Sequence, residues 1–499
     1  MTAEPSTPLQ TSWNLSQRLS EPGLLRRLNL IDGAWVDAIG GGEYAVINPS
    51  DQRELIRVPA SGADDARRAI EAAHRAGPAW AAQTAQARAI ILRRWHALII
   101  EHKQDLGLIL AAEQGKALAE AVAEVAYGAG FVEWFAEEGR RVYGDVIPGA
   151  ADKRIVVIKQ PVGLTALITP WNFPSAMITR KAAPALAAGC TVVLKPAEDT
   201  PLSALALGEL ALRAGVPPGV LNIVTTCEPA SVGDVFTGHP LVRKLSFTGS
   251  TPVGKRLMAQ CAGTVKKVSL ELGGNAAFIV FDDADLDAAV AGLIACKFRN
   301  TGQTCISANR IFVQAGVFDR FTQLLAAAVR GLRVGDPLAA GVQQGPLINA
   351  AALTKVTSLV QDAVARGAEV VVGGAAHERG GLYYSPTLLT NVSTEARMWH
   401  EEIFGPVAAL QRFDDEQDVL ARANDTPYGL ASYFYTRDIG RAWRVAEQLD
   451  VGIVGANEGL ISTELAPFGG VKESGIGREG SKYGIEDYLE TKYICFGGI

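Results

Sequence analysis

Cys305 has unusual company for a cysteine. In KFRNTGQTCISANR (297–310) it follows Asn300, Thr301, Gly302, Gln303 and Thr304, where a structural cysteine more often has bulky apolar neighbours. Small residues let a substrate approach the sulfur closely, and a thiol becomes nucleophilic where a base or a positive field favours thiolate. On this segment alone, a reactive thiol and a core cysteine both stay open. Four more polar residues end or follow short apolar runs: Asn172 after LTALITPW, Lys195 at the end of TVVLK, Ser250 after KLSFTG and Glu271 at the end of KVSLE. Each alone reads as a cap or turn former. If the runs are parallel strands of one sheet, all four sit at the edge where α/β proteins bind ligands.

The segment FTGSTPVGK (247–255) separates two phosphate-binding readings. Thr251 or Ser250 suits an N-cap and Pro252 the first helical position. A helix starting there points free N–H groups and a positive dipole end at the strand edge, where a pyrophosphate is favoured. GSTPVGK also fits the pattern of a nucleotide-triphosphatase loop, but Arg256 replaces the Ser or Thr that ligates magnesium. GIGREG (475–480) fits G-x-G-x-x-G, yet it follows a Gly-rich loop and too little chain remains for a strand–helix–strand unit. HEEIF at 400 lacks the second histidine of a zinc motif, and the six histidines are scattered, so no metal site is expected.

These residues need elements to position them. From Ala63 to about Glu138 the pattern is helical, followed by short β-like segments around RVYGDVIP and RIVVIKQPVG. Over 164–281, LTALIT, TVVLK, LNIVT, KLSFT and KVSLE alternate with helical stretches such as SALALGELALRAG, which predicts a doubly wound parallel α/β sheet. A second α/β pattern runs from Ala276 to about Val454. The tail EDYLETKYICFGG reads as a strand with no helix after it, and such a strand needs a partner in another region or another subunit. The expected architecture is two α/β domains plus a small β element.

At 499 residues the chain exceeds one typical domain. With 48% hydrophobic and 20% charged residues it reads as a globular protein. A formal net charge of -6 argues against nucleic acid, and no apolar run is long enough to span a membrane. The opening MTAEPSTPLQTSWNLSQ holds no apolar export core and little positive charge. Six cysteines without a close pair suggest reduced thiols. A cytoplasmic protein is expected.

PWNFP (170–174), LKPAEDTP (194–201), SFTGS (246–250), LELGG (270–274), NTGQTC (300–305), EEIFGP (401–406) and PFGG (467–470) occur in the order found in the aldehyde dehydrogenase superfamily, which this chain resembles from about Leu30 onward. KFRNTGQTC, SAMITRK, ANEGLIS and GREGSKYGIEDYLE are similar to its succinate-semialdehyde dehydrogenase branch. The resemblance implies an aldehyde dehydrogenase-like fold. Its cofactor-binding domain would comprise 1–139 and 161–271, its catalytic domain 272–481, and its oligomerisation element 140–160 and 482–499. It implies Cys305 as nucleophile, Glu271 as the base that activates water, and Asn172 with the Cys305 N–H as oxyanion hole. Lys195 and Glu198, flanking Pro196 and Ala197, match the grip on the adenosine ribose. Ser250 matches the pyrophosphate contact, with Gly249 and Gly254 beside it, Glu402 and Phe404 match the nicotinamide side, and Trp171 is a further cofactor-binding match. Arg180, Arg299 and Ser462 match the residues that hold a distal carboxylate.

The expected activity is oxidation of succinate semialdehyde to succinate with NAD, NADP being the alternative, by a homo-oligomer, dimer or tetramer. Three other readings compete. Glutarate semialdehyde is one methylene longer and would use the same chemistry. An acyl-transferring relative would not need Glu271, and a non-catalytic paralogue would not need Cys305, Glu271 and Asn172 together.

Overall fold

The computed structural model describes residues 14–498; residues 1–13, where most of the opening segment lies, and residue 499 are outside them. Three sheets organise the chain. The first has eight strands in the order Ala34–Val36, Asn29–Ile31, Leu221–Ile223, Val192–Lys195, Thr165–Ile168, Lys244–Thr248, Lys267–Glu271 and Gly475–Ile476. Its five central strands are parallel and its outer pairings antiparallel. Strands Thr165–Ile168, Val192–Lys195 and Lys244–Thr248 are buried along their whole length. Helices cover both faces, so these strands read as continuous apolar runs instead of alternating ones.

Helices Ala176–Ala188 and Leu202–Ala214 both end on a glycine in the left-handed region, Gly189 and Gly215, each at φ 97°. That conformation suits glycine and closes the last helical turn before the chain enters the next strand. From the central Thr165–Ile168 strand the chain steps outward twice, through Val192–Lys195 and Leu221–Ile223. It then crosses back to build Lys244–Thr248 on the other side. The order reverses between Ile168 and Thr248, where a crevice opens at the carboxyl ends.

The second sheet has seven strands, ordered Glu369–Val372, Thr387–Thr390, Val407–Phe413, Ala308–Gln314, Ala276–Val280, Ala431–Tyr435 and Ile453–Ala456, all parallel except the first pair. The third is antiparallel: Leu489–Gly497 pairs with Lys153–Pro161, from Leu489 opposite Pro161 to Gly497 opposite Lys153, and Asp145–Ile147 lies on the far side. The tail strand thus finds its partner within its own chain.

Two details depart from the sequence reading. The helical region 63–138 is four helices, Ala63–Ala81, Ala85–Glu101, Lys103–Gln114 and Leu118–Glu138, because apolar periodicity does not mark short breaks. Gly475–Ile476, from the range assigned to the second domain, pairs with Leu270 and Glu271 of the first sheet. Among the described residues no helix is long and apolar enough to cross a membrane.

Candidate active site

Strand register sets up the site. Lys195 lies opposite Ile168, Ile168 opposite Phe247, and Thr248 opposite Glu271, so the four polar positions share one sheet edge. Two adjoining cavities, about 370 and 350 Å³, fill the crevice and share Pro170, Trp171, Thr248, Gly249 and Ser250. Lys195, Ala197 and Glu198 line the first. Asn172, Cys305, Glu402 and Phe404 line the second.

The first cavity fits the adenosine end of a dinucleotide. Ser250 is the N-cap of helix Thr251–Ala262, with Pro252 in its first turn, but its exposed hydroxyl caps no N–H. Hydroxyl and helix end both remain available to a pyrophosphate. Lys195 is buried, bonded to the Pro196 carbonyl at 2.9 Å and 3.5 Å from the half-exposed Glu198 carboxylate. Burial lowers the Lys195 pKa, against the pull of Glu198. Pro196 lines neither cavity, and its carbonyl accepts from Lys195. Gly254 does not line either cavity: it lets the helix pack on Leu272, whose methyl carbon would lie 2.3 Å from a Cβ at 254.

In the second cavity Trp171 and Phe404 meet edge to face with centroids 5.5 Å apart. Phe404 has φ 55°, a strained value for a bulky residue. Glu402 accepts from the Gly274 N–H at 3.3 Å, and burial raises its pKa to about 7.

The segment before Cys305 turns through three successive left-handed residues, Asn300 (φ 51°), Thr301 (56°) and Gly302 (75°). Such a run is costly and persists only where the surroundings over-determine it. Here the Asn300 amide donates to the carbonyls of Asn172 and Gln303, at 2.9 and 3.1 Å. Its N–H donates to Glu120 at 3.0 Å. Thr301 Oγ1 donates to the Gly345 carbonyl, and Gln303 Oε1 accepts from Ile348 N–H. Gly302 lies so near the Gly405 carbonyl that a Cβ would sit 2.1 Å from it, and a Cβ at Gly274 would sit 2.4 Å from the Cys305 carbonyl. The glycines of three separate motifs thus close around the thiol.

Asn172 is buried, and its amide donates to the Gln303 carbonyl at 3.1 Å, which leaves its second N–H for a ligand. The buried pair Lys116–Glu124 holds its loop: Lys116 donates to the Asn172 carbonyl at 2.7 Å, and Glu124 accepts from Ser175 N–H at 2.9 Å. Burial pushes the Cys305 thiol up to about 12, with Glu402 and Glu271 adding to the shift and Arg180 opposing it.

Glu271 is 3% exposed, and its Oε2 has no hydrogen-bond partner. Its other oxygen would lie 2.9 Å from a Cβ at Gly469, in PFGG, so only glycine fits there. Burial, then the charge of Glu479, holds the Glu271 pKa well above the carboxylate range. Glu479 stays ionised, because Lys181 and Arg180 both pair with it. Sequence reasoning gave Lys181 and Glu479 no role. They lie 298 positions apart, and the only signal was their presence in SAMITRK and GREGSKYG.

Arg180 correspondingly has a structural duty. Its Nε pairs with Glu479 and its guanidinium stacks on Phe468 at 4.1 Å, while Nη2 is buried without a partner. Arg299 and Ser462 line a third cavity of about 520 Å³ with Tyr127 and Glu120. The Arg299 guanidinium lies 4.9 Å from the Phe173 ring centroid and makes no hydrogen bond or ion pair among the described residues.

Residues 35–494 match the aldehyde dehydrogenase family. The chain is 61% identical to a succinate-semialdehyde dehydrogenase [NADP(+)] of Escherichia coli, over 96% of this chain and 100% of that one. It is 60% identical to a glutarate-semialdehyde dehydrogenase of Pseudomonas aeruginosa, over 97% and 100%. Among solved structures, that of an E. coli NADP-dependent enzyme matches with a TM-score of 0.95 at 61% identity, covering 96% of this chain and 100% of the other.

Proposed function

Because the chain belongs to the aldehyde dehydrogenase family, we propose that it oxidises succinate semialdehyde to succinate through a thioester on Cys305. The Cys305 thiol gives up its proton to water and the thiolate adds to the aldehyde carbon, giving a thiohemiacetal whose oxyanion is held by the free Asn172 N–H and the Cys305 backbone N–H. One such donor contributes about 2.7–4 kcal/mol in other enzymes. The bound nicotinamide dinucleotide supplies the acceptor for the hydride that leaves the thiohemiacetal carbon. Glu271 then takes a proton from water on its free Oε2, and the hydroxide displaces the Cys305 thiolate to release the acid. Burial and then the Glu479 charge favour a proton on Glu271, against the opposing charges of Arg180 and Lys181, which suits a base that must collect one.

The observation that carries the substrate reading is the unpaired Arg299 guanidinium in the same cavity as Ser462. A half-buried guanidinium that no protein carboxylate bonds keeps its donors for an anionic substrate. Glutarate semialdehyde is a second reading, favoured by the Pseudomonas relative and by a cavity with room for another methylene, which is worth only about 1–3 kcal/mol of discrimination. NAD is the preferred cofactor: the Glu198 carboxylate beside Lys195 can bind ribose hydroxyls and repels a 2′-phosphate. The E. coli relative is named for NADP(+), so the unmodified enzyme decides; higher kcat/KM with NADP would remove the preference.

The two large sheets support a cofactor-binding domain over 1–139 and 161–271 and a catalytic domain over 272–481. The third sheet (140–160 and 482–499) exposes Val146, Tyr493 and Phe496 and supports a homo-oligomer. A cytoplasmic location agrees with thiol chemistry in a reducing compartment. The deciding experiment is kcat/KM for C4 and C5 semialdehydes and for butanal with each cofactor. A tenfold or greater preference for the charged aldehydes is expected, and none would overturn the substrate reading.

A further inference from the structure

Tyr127 belongs to helix Leu118–Glu138, and neither its sequence context nor the family motifs single it out. Its ring is fixed on two sides, edge-on to Phe131 at 5.0 Å and packed against the small cluster of Phe173, Ala176 and Met177. The hydroxyl is consequently aimed by packing. It is buried and donates to nothing.

An orphaned hydroxyl alone does not make a site, since Tyr44 and Tyr384 also have one and neither lines this cavity. Tyr127 differs in three respects. It lines the 520 Å³ cavity together with Arg299 and Ser462. The neighbouring cation, Arg180, has its own orphaned nitrogen, Nη2. Arg180, close enough to hydrogen-bond the phenol, and Arg299 are positive charges acting on it, while burial keeps it protonated. A protonated phenol beside cations, whose own proton no protein atom accepts, is a donor awaiting an acceptor that carries negative charge. Glu120, the carboxylate in the same cavity, is engaged by the Asn300 N–H.

We propose that the Tyr127 hydroxyl, beside the Arg180 guanidinium, hydrogen-bonds the distal carboxylate of the substrate and helps select charged aldehydes over neutral ones. This rests on the reading that a carboxylated aldehyde occupies the cavity. No protein atom accepts the hydroxyl's proton, so removing it breaks no bond that the hydroxyl donates to the fold. Function and stability therefore separate at one atom.

The test is Tyr127→Phe, assayed with succinate semialdehyde and butanal, alongside its Tm and the inhibition constant of succinate against butanal. A hydrogen bond to a charged group corresponds to a loss of about ten- to hundredfold. That loss is expected in kcat/KM for the semialdehyde, chiefly through KM. Succinate inhibition should weaken by a similar factor, butanal kinetics should not change, and Tm should be equal or higher. Unchanged semialdehyde kinetics, an equal loss on both aldehydes, or a lowered Tm would each overturn the assignment. If the unmodified enzyme does not prefer the semialdehyde to butanal, the substrate reading falls and takes this inference with it. If that preference stands and Tyr127→Phe retains it, only the inference falls.

Discussion

The loop that carries Cys305 begins directly after Arg299 of the 520 Å³ cavity, yet the polar groups of loop and cavity are treated in opposite ways. Within the loop, the side chains of Asn300, Thr301 and Gln303 donate to backbone carbonyls, and three left-handed residues in succession are held in place. Within the cavity, the Arg299 guanidinium makes no hydrogen bond or ion pair and the Tyr127 hydroxyl donates to no protein atom among the described residues. Groups that must hold still are satisfied by protein. Groups proposed to hold substrate are left free, at a cost to folded stability that binding would return. Glu271 falls on the second side, with Oε2 unpartnered.

The largest expected effect breaks the chemistry and leaves binding alone. Glu271→Gln should reduce steady-state turnover by about a hundred- to ten-thousandfold, while a stoichiometric burst of reduced cofactor survives in stopped-flow absorbance. Loss of the burst as well would show that Glu271 also draws the proton from Cys305, whose high pKa makes such help valuable.

The two arginines sharpen the comparison next. Removing one partner from a buried ion pair costs about 3–5 kcal/mol. Arg180→Ala should therefore lower Tm and reduce activity on succinate semialdehyde and butanal alike, since Glu479 would keep only Lys181. Arg299→Ala should leave Tm unchanged and weaken only the semialdehyde, by about ten- to hundredfold. Equal behaviour of the two variants would erase the distinction between a structural and a substrate-binding arginine.

Gly302→Ala probes the satisfied side. A side chain at φ 75° costs about 1–2 kcal/mol before any contact is counted, and this one must also displace the Gly405 carbonyl. A lower Tm and slower acylation are expected from scanning calorimetry and burst kinetics; an unchanged Tm would mean that the loop is softer than its hydrogen bonds suggest.

The smallest effect is in pH. Thioester hydrolysis needs ionised Glu271, and burial with Glu479 holds its carboxyl protonated above the ordinary range. Turnover should rise with pH through that raised pKa and fall below it as acyl-enzyme accumulates. An acid limb at an ordinary carboxylate pKa would contradict this.

Much of the fold was legible for a specific reason. LTALIT, TVVLK, LNIVT, KLSFT and KVSLE contain strands buried between helix layers, so burial wrote itself into contiguous residues. Cys305 was visible because its neighbours are small and polar, and those neighbours turn out to form the left-handed turn. Lys181 and Glu479 were not visible, because a charge is assigned a partner only by tertiary structure. Arg180 was half legible: its motif pointed to substrate, and nothing local announced Glu479. Gly254 followed its motif to the cofactor, whereas its own contact is Leu272.

The antiparallel pairing of Leu489–Gly497 with Lys153–Pro161 bears on how the chain is made. Lys159 bonds Glu486, 327 positions later. At ribosomal rates of about 5–20 residues per second, the 153–161 strand waits roughly 16–65 s for its partner. During that interval it is a nine-residue edge with Ile155, Val156, Val157 and Ile158 at its centre, open to pairing with the same segment of a neighbouring nascent chain. Lys153, Arg154 and Lys159 flank that apolar run, and their mutual repulsion protects the strand until the tail arrives. Replacing those three cations with neutral residues should leave the finished enzyme intact and lower the yield of soluble protein during synthesis.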